Sequence, residues 1–171
     1  IPSSTKSIVT EMVTILLIDH ILNQVFLSIF WSWTRSLFLP RHYKKHPEAF
    51  EFIKAVPVDW SEKVVLNSEI SQYVTVARKD KNSENWFVGG ITDEKERTFE
   101  LDLSFLDVGH TYKFKIFKDK TNTHWKENPM EYEIDQFDLK IKNDSSTEIY
   151  MAPGGGFAMQ IEKIWILLWK I

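Results

Sequence analysis

Residues 97–119 read RTFELDLSFLDVGHTYKFKIFKD, and their alternation decides the fold class. In 97–105, Phe99, Leu101 and Leu103 point one way while Glu100 and Asp102 point the other. In 111–119, Tyr112, Phe114 and Ile116 oppose Lys113 and Lys115. A period of two is the signature of a strand with one face buried and one wet. Working outward, YVTVARK (73–79), NWFVGGIT (85–92), FDLKIK (137–142), TEIYMA (147–152) and GFAMQIE (156–162) carry similar patterns. No long helix separates them, so the expectation is an all-β fold, an antiparallel β-sandwich with one wet face per sheet. Asn, Asp and Ser in 79–85 and 142–146 support turns through local side-chain hydrogen bonds.

The sandwich is preceded by apolar, helical sequence. HPEAFEFIKAV (46–56) reads as a short helix, with Pro47 and Glu48 suited to its first turn, Phe50, Ile53 and Lys54 at helical spacing, and Pro57 as its stop. Residues 8–38 are strongly apolar, with Glu11, Asp19 and Arg35 the formal charges. Two readings stand for that run: a helix belonging to a larger protein, and a membrane span. Asp19, His20, Asn23 and Gln24 in mid-run count against the span. The tail KIWILLWKI (163–171) is also apolar, so both ends read as edges of a larger unit. The expected organisation is therefore 1–38 as an apolar helical segment, 39–162 as the sandwich and 163–171 as a tail without an assigned role.

A net charge of −3 and a pI near 6.0 argue against binding nucleic acid or anionic membrane, which both need a basic surface. The chain has no cysteine, which removes disulfides, thiolate metal sites and a cysteine nucleophile. Paired acids come next, because two opposed carboxylates hydrolyse glycosidic bonds. The pairs Asp93/Glu94, Glu100/Asp102 and Asp135/Asp138 fall on wet strand faces or turns, with nothing apolar around them to raise a pKa. His20, His42, His46, His110 and His124 show no metal-ligand spacing, and Pro47 makes a helix through His42 and His46 improbable. Tyr73, Trp86 and Trp125, with Trp60, are candidates for a sugar-stacking platform; the competing role for such rings is packing in the core or an interdomain face. PGGG at 153–156 is followed by an alternating strand pattern and no Lys-Ser/Thr, so it reads as a backbone reversal and not a phosphate loop.

Six motifs in order, LPRHYKKHPEAFEFI, AVPVDWSEKVVLNSEISQYVTVARK, NWFVGGITDE, ELDLSFL, YKFKIFKD and APGGGFAMQI, make residues 39–162 resemble the C-terminal domain of glycoside hydrolase family 97. These are α-glucosidases and α-galactosidases typical of Bacteroidetes. The resemblance implies a β-sandwich that follows a catalytic (β/α)8 barrel, packs on it and takes part in oligomer contacts. It implies a parent glycoside hydrolase whose catalytic acids and calcium-binding glutamates lie outside this chain, so no catalytic, cofactor or metal residue is carried over. Calcium in the full-length enzyme, a periplasmic location, and the barrel and further copies as partners are expectations of the same kind. The rival expectation is a free-standing carbohydrate-binding module using Trp125 and neighbouring aromatics.

Overall fold

The computed structural model describes residues 46–121, 123 and 131–165, together with Val9 and Val13 of the N-terminal segment. Helix α1 spans Pro47–Ala55. His46 stands at its N-cap in a non-helical conformation (φ −131°, ψ 64°), in keeping with the steric bias of a residue before proline, and Pro47 begins the helix where its missing N–H costs nothing. The Val56 N–H donates to the Phe52 carbonyl at 3.1 Å before Pro57 stops the helix. Ala49 and Phe52 are its buried residues; Phe50 is half-buried and carries the Lys54 ammonium 5.0 Å from its ring centre.

Eight strands follow: β1 Trp60–Glu69, β2 Tyr73–Asp80, β3 Trp86–Thr92, β4 Arg97–Asp102, β5 Thr111–Asp119, β6 Tyr132–Lys140, β7 Ser146–Met151 and β8 Gly156–Ile164. They form a six-stranded sheet, β1-β2-β3-β8-β5-β6, and a two-stranded sheet, β4-β7, with antiparallel pairing throughout. β1 lies outside the strands expected from alternation. Its register with β2 shifts at Trp60/Glu62 and at Val65/Asn67, and irregularities of this kind break a strict period of two. β8 runs two residues beyond the expected sandwich boundary, so Lys163 and Ile164 belong to the sheet and not to a separate tail.

The main core lies between the two sheets. Leu101, Ile149 and Met151 of the small sheet meet Trp86, Val88, Phe114, Ile116, Phe157, Met159 and Ile161 of the large one. A second apolar cluster forms on the opposite face of the large sheet, where Phe87, Phe117 and Ala158 meet Ala49 and Phe52 of α1. The Phe52 ring packs edge-on against Phe117 at 5.1 Å and Phe87 at 6.0 Å. Val9 and Val13 are helical, four apart and fully buried in this same cluster. The expectation of one wet face per sheet therefore holds for β4-β7 and fails at the centre of the large sheet. Residues 86–90 of β3 are buried without interruption because a helical layer covers the second face. Among the described residues no helix is long and apolar enough to cross a membrane; beyond Val9 and Val13, the membrane reading of 8–38 falls outside them.

Candidate interaction surfaces

The glycine run is a turn organised around a buried acid. After β7 the chain reverses through Ala152–Gly155, with the Gly155 N–H donating to the Ala152 carbonyl at 2.9 Å. Gly154 takes φ +69°, a region that disfavours any side chain. Asp119, at the end of β5 and 1% exposed, accepts a 2.8 Å hydrogen bond from the Gly156 N–H. A Cβ on Gly155 would stand 1.8 Å from that carboxylate oxygen, so the close approach requires glycine. The motif serves the backbone, as its sequence context indicated.

At one end of the large sheet, the β3–β4 connection is tied by Arg97. Its guanidinium donates to both Asp93 and the Thr92 hydroxyl, and to the Gln72 side-chain oxygen at 2.8 Å. The same guanidinium lies 5.1 Å over the Tyr73 ring, which also stacks on Phe99 at 6.4 Å. The Arg97 hydrogen bond, reinforced by the Lys95 backbone N–H, holds the Asp93 carboxyl below its ordinary range. Below this cluster the hairpin loop joins β1 to β2. The Gln72 N–H donates to the Glu69 carbonyl at 3.0 Å, Ser71 adopts φ 64°, and Ile70 projects outward at 94% exposure.

These contacts place the sequence candidates. Trp86 is 4% exposed and tilts against Phe105 at 4.9 Å, so it is a core residue and presents no face to a sugar. Tyr73 is half-buried beneath the Arg97 guanidinium. Register sets Tyr73 opposite Thr92 and Trp86 opposite Lys79, at opposite ends of the β2–β3 pair. Six residues of strand separate them, roughly 20 Å, too far for one platform. Trp60 packs beside the second cluster, with Phe87 edge-on at 5.9 Å and Arg78 5.6 Å over its ring. Trp125, His20, His42 and His124 lie outside the described residues.

The paired acids have structural partners or face solvent. Asp135 bridges to Lys118 at 2.7 Å, Asp102 accepts from the Ser104 N–H at 2.8 Å, and Glu94, Glu100 and Asp138 are exposed. A general acid needs a raised pKa. Asp93, Asp107 and Glu131 are instead held low by Arg97, Lys163 and Lys120 respectively. His46 meets the Tyr132 hydroxyl at 3.2 Å, and among the described residues no group of three or more His, Asp or Glu is placed to hold a metal ion. The arrangement offers apolar layers and hydrogen-bonded loops, which suit contact between proteins.

Relatives carry the same arrangement within larger enzymes. The chain is 37% identical over 123 residues to a retaining alpha-galactosidase of Bacteroides thetaiotaomicron, an alignment that takes 72% of this chain and 18% of that protein. A glycoside hydrolase family 97 enzyme from Pseudoalteromonas sp. strain K8, solved with panose and with acarbose, superposes with a TM-score of 0.69 at 32% identity. That match covers 74% of this chain and 20% of the other, so the chain spans about a fifth of the length of these relatives. A beta-arabinopyranosidase superposes at TM-score 0.51 with 22% identity, a likeness of fold alone. The family described as glycosyl-hydrolase 97 C-terminal, oligomerisation, matches residues 59–162, from just before β1 to two residues short of the end of β8. On that match, which takes in all eight strands of the sandwich, the chain belongs to the glycosyl-hydrolase 97 C-terminal, oligomerisation family.

Proposed function

We propose that this chain works as the non-catalytic C-terminal β-sandwich of a family 97 α-glycosidase, packing on the catalytic barrel and contributing to subunit contacts. The observation that carries the packing role is the second apolar cluster. Val9, Val13 and α1, all upstream of the sandwich, are buried against Phe87, Phe117 and Ala158 of its large sheet. Sequence that precedes the sandwich is thus built into its outer layer, which couples the domain mechanically to whatever chain it follows. Burying side chains of this size contributes about 1.5–3 kcal/mol each. In this reading the parent enzyme hydrolyses α-glucosides or α-galactosides in the periplasm, with calcium and the catalytic acids held by its other domains. The domain's part is to hold the barrel and its neighbours in place.

The purified chain, incubated with aryl α-galactoside and aryl α-glucoside, is expected to release phenol no faster than buffer. Saturable hydrolysis by this chain would overturn the reading. Sugar stacking by Trp86 and Tyr73 finds no support in their placement, since one ring is in the core and the other is covered by Arg97.

A further inference from the structure

Arg78 of β2 is 2% exposed and stands on the sheet face that upstream sequence covers. Register sets it opposite Phe87, a member of the second apolar cluster, and its guanidinium lies 5.6 Å over the Trp60 ring. Val9 and Val13, fully buried in that cluster, bring the N-terminal segment to the same face. On the other side register sets Lys63 of β1 opposite Arg78, and like charges facing each other across a strand pair repel. Both side chains carry further interactions. A guanidinium taken out of water needs an anion to offset its lost hydration. Acids on the adjoining strands are committed elsewhere: Glu62 bridges to Lys79 at 3.7 Å, and the Asp80 carboxylate accepts from the Asn82 N–H and the Ser83 hydroxyl.

The apolar run 8–38 holds the complementary oddity, two carboxylates in sequence where an uncompensated charge is costly: Glu11 and Asp19. A helix advances about 100° per residue, so with Val9 and Val13 turned to the sheet the position of Glu11 falls on the side away from it. Asp19 is six residues beyond Val13, a reach of about 9 Å along a helix and about 20 Å along extended chain. Arg78 is one strand, or about 5 Å, from Phe87 of the cluster that holds Val13. We propose that Asp19 is the counter-charge of Arg78, so that the run preceding the sandwich docks on the Phe87–Arg78 face with its carboxylate on the guanidinium and Lys63 at the rim. The proposal rests on the packing role above and names the contact that sets its register. An apolar layer can slide over a sheet at little cost, whereas a buried ion pair is satisfied in one position.

A double-mutant cycle on the full chain tests the pair. Asp19→Asn and Arg78→Met are each expected to lower the urea midpoint by about 1 M or more, since each strands a buried charge. The double variant strands neither, so its midpoint should fall no lower than that of the worse single variant. The arginine side-chain nitrogen signals in a nitrogen-15 NMR spectrum give a second readout that needs only the mild variants, with Arg78 assigned through Arg78→Lys. Asp19→Asn should displace the Arg78 signal, and Glu11→Gln should leave it in place. Losses that simply add in the double variant, or an Arg78 signal indifferent to Asp19→Asn, overturn the pair. Val13→Asp keeps that failure distinct from failure of the packing role. A lowered midpoint in Val13→Asp beside a failed pair leaves the upstream layer docked without the ion pair, whereas an unchanged midpoint overturns both.

Discussion

At the scale of single residues, the glycines and their neighbours set the sharpest constraints. Gly155→Ala places a methyl 1.8 Å from the Asp119 carboxylate and is expected to cost about 3 kcal/mol in urea unfolding. Gly90→Ala meets the Phe157 ring at 2.5 Å and the Thr75 hydroxyl at 2.8 Å, and a loss of about 1–3 kcal/mol is expected. An unchanged urea midpoint in either variant would contradict the packing described. The reversal itself was legible in the PGGG run. Its partner was not, because Asp119 is 37 positions away and only the β5–β8 register brings the two together. The direction of Trp86 was hidden for a related reason: Phe87 beside it is equally buried, so alternation carries no information there. Asp107 gives a pH test. The Lys163 ammonium, 2.7 Å away, holds its carboxyl below the usual range, with a further hydrogen bond from Tyr112. A folded-state pKa below the unfolded value near 3.9 means that the stabilisation is complete above about pH 4 and is lost as pH falls through the lowered value. Wild type should therefore exceed Asp107→Asn in stability at pH 7, and the gap should narrow as pH falls below the unfolded value; a gap that does not change with pH contradicts the pairing.

At the scale of elements, α1 and β1 differ in how far their sequences reveal them. Pro47, Glu48 and Pro57 bracket α1 clearly, but the spacing of Phe50 and Ile53 does not say which stripe faces the sheet. Packing chooses Ala49 and Phe52, since these fit against Phe87 and Phe117. Phe52→Ala should then cost about 3–5 kcal/mol, read as a shifted denaturation midpoint. A loss below about 1 kcal/mol would mean that the helix does not cover the sheet. β1 was missed for two physical reasons. Register shifts break its alternation, and the Ile70–Gln72 loop that pairs it with β2 contains no glycine, asparagine or proline to announce a turn. The same loop predicts a gain. Ser71→Gly relieves a left-handed residue and should leave stability unchanged or raise it by up to about 1 kcal/mol, as measured by thermal unfolding. A clear loss would show that the Ser71 side chain does more than occupy the loop.

At the scale of the molecule, two sheets and a helical layer form a domain with an apolar cluster on each face of its large sheet. Alternation revealed the sandwich, and the ordered motifs revealed the family. The helical layer was only half legible, because nothing in 8–38 distinguishes a helix that packs on this sheet from one that packs elsewhere. The role proposed for this domain is association through contact with other chains or domains. Sedimentation velocity of the wild-type chain over a hundredfold concentration range measures that role directly. The account predicts a weight-average mass that rises reversibly above that of one chain as concentration increases. A single monomeric species across the whole range would contradict it.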